Sequence, residues 1–165
     1  MRRMLFVLAA VFATAAIAVP VASAGNAHFI KSASGATLSG PDLNCFFKEA
    51  GLESGSHETL TCAATEDITY ECVNNGGKNP SASNKTAFRT SAEQSGEFTA
   101  DKNGNLVGTQ PLTHASAASL GFSCPSGQTV TLVSVTYSNV TITDETSGAS
   151  ISIPGTFTFT NTSAP

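Results

Sequence analysis

Gln128-Thr129-Val130-Thr131-Leu132-Val133-Ser134-Val135-Thr136-Tyr137-Ser138-Asn139-Val140-Thr141-Ile142-Thr143-Asp144 decides the fold. Side chains on a strand alternate between its two faces, so the parity of the apolar positions shows which face is buried. Val130 and Leu132 share one parity, Val133, Val135 and Tyr137 the other, and Val140 and Ile142 return to the first. One regular strand cannot turn all of these inward. An extra residue near Leu132-Val133 and another near Ser138-Asn139 would restore the inward set, so the segment predicts a long strand with two bulges. Asp144-Glu145-Thr146-Ser147-Gly148 then reads as a hairpin loop. Beyond it, Ile151, Ile153, Phe157 and Phe159 share a face, with Pro154-Gly155 interrupting the run.

The same punctuation extends upstream. Ala27 to Ser32 and Leu43 to Lys48 read as short strands, and Glu49 to Gly55 as a loop. Thr59 to Thr65 and Ile68 to Val73 are strand-like, as two strands or as one long bent strand. Asn103-Gly104 is a strong hairpin signal between Glu97–Ala100 and Asn105–Gln110. No segment after the first two dozen residues keeps a helical period for three turns. Seven to nine short strands between turns predict an all-β, antiparallel β-sandwich, with a closed barrel as the alternative. Tyr70-Glu71-Cys72 has the Tyr-x-Cys spacing of a tyrosine corner, so an immunoglobulin-like architecture is expected, with no Trp to complete the pattern.

The chain opens Met1-Arg2-Arg3-Met4, continues with an apolar run from Leu5 to Val19, and reaches Val21-Ala22-Ser23-Ala24. A basic start, a short apolar core and small residues at a cleavage position are the parts of a secretory signal peptide. The run falls short of the roughly 20 residues that span a bilayer. Residues 1–24 are therefore expected to be a signal peptide and 25–165 a single domain that is secreted to an extracellular location, with no membrane span after cleavage. Arg2-Arg3 leaves the general and twin-arginine routes both open.

Eight basic and twelve acidic residues give a net charge of −4, and loss of Arg2 and Arg3 makes the remainder more negative. That sign lacks the basic footprint of a nucleic-acid binder, so no nucleic-acid partner is expected. All four cysteines, Cys45, Cys62, Cys72 and Cys124, follow the signal, and an even number in an exported chain predicts two disulfides. Three pairings are possible. Cys45–Cys62, clipping a hairpin, and Cys72–Cys124, tying the middle of the chain to a later strand, are preferred. No Cys-x-x-Cys and no His at ligand spacing accompany them, so neither a metal nor another cofactor is expected.

No catalytic constellation emerges. His28, His57 and His114 are far apart, and Ser54-Gly55-Ser56 lacks the frame of a nucleophile elbow. Glu66-Asp67 and Asp144-Glu145 are expected in turns, although paired carboxylates can serve a glycosidase. Asp101, Asn103 and Asn105 alternate as calcium-loop ligands do, but position twelve is Leu112, not a bidentate carboxylate. Asn75, Gly76, Gly77 and Lys78 open the longest irregular stretch and form the candidate contact loop. Asn84, Asn139 and Asn161 begin glycosylation sequons. The expectation is a secreted non-enzymatic protein that binds outside the cell or forms part of its surface, with a cell-wall or extracellular protein partner. A small secreted hydrolase or hydrolase inhibitor is the first alternative, and a carbohydrate-binding module the second. The carbohydrate-binding reading is weakened by the absence of Trp and the presence of only two Tyr.

The segment Tyr70-Glu71-Cys72-Val73-Asn74-Asn75-Gly76-Gly77-Lys78-Asn79-Pro80, followed by Asn84-Lys85, resembles a family of small exported actinobacterial proteins of the Streptomyces type. Their shared pattern is Cys-Val-Asn-x-Gly-Gly-x-x-Pro…Asn-Lys, with a later strand like Val135 to Val140. The resemblance implies a Gram-positive source and an extracellular site, and it carries no catalytic residue across.

Overall fold

The computed structural model describes residues 26–74 and 84–162. The described residues hold nine strands: β1 (His28–Phe29), β2 (Gly35–Ser39), β3 (Asp42–Ala50), β4 (His57–Asn74), β5 (Lys85–Thr99), β6 (Asn105–Leu112), β7 (Gln128–Asp144), β8 (Ser150–Ile153) and β9 (Phe157–Thr160). A short 3-10 turn, Lys31–Ala33, follows β1. In the first sheet β3 is central, with β1 and β2 along one side and β6 along the other. In the second the order is β5-β4-β7, with β8 and β9 sharing the far side of β7. Every pairing is antiparallel, and the two sheets pack face to face as a β-sandwich.

The two bulges expected in β7 are present. Its register against β4 shifts between Ala63 and Thr65 and again between Thr69 and Tyr70. The first shift leaves Asn139 unpaired at φ 52, a left-handed conformation that Asn tolerates better than most residues. The second leaves Val133 without a partner on β4. Through these shifts Val135, Tyr137, Val140 and Ile142 all reach the core. The two strand-like stretches upstream are one 18-residue strand, β4.

Both preferred disulfides form, Cys45–Cys62 with Cα atoms 6.2 Å apart and Cys72–Cys124 at 5.6 Å. Their settings differ from the expected ones. Cys45 lies on β3 and Cys62 on β4, so the first bond joins the two sheets through the core instead of clipping a hairpin. Cys124 lies in the loop before β7, not in a strand.

Asn103-Gly104 also turns out differently. The turn is tight, with the Gly104 N–H donating to Asp101 O at 3.0 Å, but β5 pairs only with β4 and β6 only with β3. It is thus a corner that carries the chain from one sheet to the other. Tyr70 does not make a tyrosine corner either. Its hydroxyl donates at 2.7 Å to Ala115 O, far downstream. Glu66-Asp67 lies in the middle of β4, not in a turn: Glu66 faces the interior, and Asp67 faces outward beside Arg89 at 3.4 Å.

Candidate functional site

Three places gather the polar side chains. The first is the end of the sandwich where β3 finishes, β4 begins and β7 finishes. Strand alternation turns Glu49, Glu58 and Asp144 inward there, at 0%, 3% and 0% exposure. The Ser147 hydroxyl donates to Glu49 Oε1 at 3.2 Å, and the Ser56 hydroxyl to Glu58 Oε1. Asp144 Oδ1 accepts the Thr146 and Ser147 N–H groups at 2.8 and 3.3 Å, which shapes the loop into β8. Each acid keeps a second oxygen that receives no N–H or O–H from a neighbour.

Asp144 lies close enough for its charge to oppose ionisation of both glutamates. Burial, reinforced by the nearby Asp144, pushes Glu49 up to about 7. Burial also raises Glu58. Among the described residues no group of three or more His, Cys, Asp or Glu is placed to hold a metal ion.

The second place pins the chain after β6. The His114 Nδ1 is 2.6 Å from Asp42 Oδ1, and the His114 N–H donates to the same oxygen at 3.1 Å. The Ala115 N–H is shared between both oxygens of buried Glu66, at 3.1 and 3.2 Å. Glu66 is raised by desolvation, with the Ala115 N–H and His114 opposing it. The Tyr137 hydroxyl donates to Pro41 O at 2.9 Å, and its burial raises it. His114 is thus the one histidine within hydrogen-bond distance of a carboxylate among the described residues. His28 bonds Asn26 O at 2.7 Å, and His57 lies 3.2 Å from the Thr99 hydroxyl.

The third place is the outer face of the second sheet. Among the outward positions of β4 and β7 are Thr59, Thr61, Thr65, Thr69, Thr136, Thr141 and Thr143, with Asp67 and Ala63 between them, and β8 and β9 add Ser150, Ser152, Thr158 and Thr160. Cross-strand register places Thr61 between Ser95 and Thr143, and Thr136 between Asp67 and Thr158. Hydroxyls meet at 2.8 Å between Thr61 and Ser95, 3.0 Å between Thr136 and Thr158, and 3.1 Å between Thr143 and Ser150. A recess of about 370 Å³ opens on this face among Asp67, Thr69, Ala87, Arg89, Ser134 and Thr136. Another, of about 310 Å³, lies beside Asn139, Thr141, Ser152 and Pro154.

Asp101, the first residue of the calcium-like alternation, spends Oδ1 on the Asn103 and Asn105 N–H groups at 2.7 and 2.9 Å. Those bonds hold its carboxyl below the ordinary range. The candidate contact loop, Asn75, Gly76, Gly77 and Lys78, lies outside the described residues. The carboxylate cluster and the hydroxyl face went unpredicted because their members are scattered in sequence. The Thr and Ser alternation opposite the apolar parity was the available signal for the hydroxyl face.

The residues and their geometry define a disulfide-bonded β-sandwich domain. Neither a protein-family model nor a curated protein sequence matches the chain. Among solved structures it matches the solution structure of R. palustris CsgH, at 12% identity and a TM-score of 0.20, covering 81% of this chain and 91% of that one. A likeness at that score carries no argument about fold or role. Among the described residues no helix is long and apolar enough to cross a membrane.

Proposed function

We propose that this is a secreted, non-enzymatic binding domain that makes contact outside the cell through the outer face of the β5-β4-β7 sheet. The observation that carries this reading is the array of threonine and serine hydroxyls on that face. A hydroxyl can donate and accept, so the array suits a surface rich in hydroxyl and amide groups, such as a cell-wall polymer. Two disulfides and the signal-like N-terminus favour an oxidising compartment.

The polar interior supports the same reading. Glu49, Glu58, Glu66 and Asp144 are enclosed between the sheets, where a substrate cannot reach them without opening the sandwich. The hydrolase reading would rely on His114 and Asp42, and their hydrogen bonds are those of a pin that fixes the segment after β6. A catalytic use would need a nucleophile hydrogen-bonded to that imidazole, and none of the contacts made by the described residues supplies one.

Cosedimentation of the oxidised chain, lacking residues 1–24, with isolated Gram-positive cell walls tests the proposal. The wild-type chain is expected in the pellet. A chain carrying Thr61→Val, Thr136→Val and Thr143→Val is expected in the supernatant, with an unchanged circular dichroism spectrum. A parallel variant replaced at Gly76, Gly77 and Lys78 reports on the candidate contact loop. A wild-type chain that stays soluble, or a triple variant that binds equally well, removes this face from the account.

A further inference from the structure

Strand β5 is an edge. It runs 15 residues, Lys85–Thr99, and pairs with β4 alone, which leaves the N–H and C=O groups along its other side without a strand partner among the described residues. A long unpaired edge is a template for another strand, and natural proteins blunt one with charged side chains, a proline, a bulge or a covering loop. The sequence of β5 contains no proline, and its register against β4 is unbroken from His57↔Thr99 to Glu71↔Lys85.

The charges along β5 are ordered. The outward positions hold Lys85, Arg89, Glu93 and Glu97, with both cations in the first half and both anions in the second. The cations have partners on β4: Lys85 lies 3.3 Å from Glu71 and Arg89 3.4 Å from Asp67. The anions face neutral neighbours there, Ala63 and Thr59, and no ion pair involves Glu93 or Glu97 among the described residues.

We propose that the β5 edge pairs with the β5 edge of a second copy of this chain, antiparallel and centred on Ser91. A two-fold axis perpendicular to the sheet through Ser91 keeps outer faces together. It sets Arg89 opposite the partner's Glu93 and Lys85 opposite the partner's Glu97, each twice by symmetry. Sliding the copies to centre on Thr90 or Ala92 leaves the charges facing Ser, Ala or Thr. Centring on Arg89 or Glu93 sets like charges on each other. Ser91 is therefore the one register near the middle of the strand in which both charge pairs are complementary. The inward side chains meet as Phe88 with Gln94 and Thr90 with Ala92, so no charge is buried. The pairing joins two sandwiches through one continuous sheet with roughly a dozen new backbone hydrogen bonds.

Sedimentation velocity of the oxidised chain without residues 1–24, across micromolar concentrations, tests this. A monomer–dimer equilibrium is expected. Arg89→Glu opposes like charges at two symmetry-related positions and is expected to weaken the dimer more than about tenfold. Adding Glu93→Arg restores complementarity and is expected to restore the dimer. Ser91→Cys places two thiols at directly opposed positions and is expected to give a covalent dimer on a non-reducing gel. A wild-type chain that stays monomeric overturns the proposal. So does a dimer unaffected by Arg89→Glu, or one that Ser91→Cys fails to cross-link.

Discussion

Gly108 shows how one residue joins the two sheets. Phe47 of β3 and Phe98 of β5 meet edge to face with ring centres 5.1 Å apart, one from each sheet. They close over Gly108 of β6, where a Cβ would lie 2.7 Å from the Phe98 ring and 2.8 Å from Phe47. Gly104 is held differently. It sits at φ 71 in the corner between β5 and β6, and a Cβ there would meet the Leu52 carbonyl oxygen at 2.2 Å. Gly108→Ala therefore has to displace an aromatic pair, and overpacking of this kind destabilises by about 1–3 kcal/mol. Chemical denaturation should show a lower midpoint with an unchanged slope, whereas Gly121→Ala, with open space around it, should suffer only its backbone strain.

Among the elements, the disulfides differ in what they join. Cys45–Cys62 spans 17 residues and crosses the core, while Cys72–Cys124 spans 52 and ties β4 to the loop before β7. Loop-closure entropy gives about 3 kcal/mol for the shorter and about 4 for the longer. Replacing Cys72 and Cys124 together with Ser should thus lower the denaturation midpoint. Replacing Cys45 and Cys62 removes a smaller entropic term but puts two hydroxyls into a fully buried position, so its loss should be at least as large.

The bulges of β7 were legible because inward Val135 and Tyr137 and inward Val140 and Ile142 have opposite parity, and only an extra residue reconciles them. β2 was not legible, since Gly35 to Ser39 is short and has no clear alternation. Most of β5 was missed for a related reason. Its inward positions mix Phe88 and Phe98 with Thr90, Gln94 and Gly96, so the apolar period is diluted. Glu66-Asp67 was placed in a turn because charged pairs usually sit there. The inward Glu66 is tolerated because the Ala115 N–H, a residue far downstream, bonds its carboxylate. The cluster of Glu49, Glu58 and Asp144 depends likewise on three strand ends meeting, which local pattern does not encode.

Across the whole molecule, Glu49, Glu58, Glu66 and Asp144 are enclosed between two sheets that a disulfide also joins. That arrangement has a thermodynamic signature. Glu49 is raised from 4.5 to about 7, and Glu58 and Glu66 are raised as well. Between these limits the folded chain binds more protons than the unfolded one, so stability falls as pH rises. The contribution is fully present below about 4.5 and is lost as pH passes through 7. For Glu49 alone it is worth roughly 3 kcal/mol. Glu49→Gln keeps the shape, removes the titration, and can still accept from Ser147. The most direct test is the melting temperature of the oxidised chain from pH 4.5 to 8, at fixed protein concentration, beside that of Glu49→Gln. A wild-type curve that falls toward neutral pH, and falls less steeply in the variant, is predicted. A flat or rising wild-type curve, or a variant with the same slope, would contradict an enclosed carboxylate cluster.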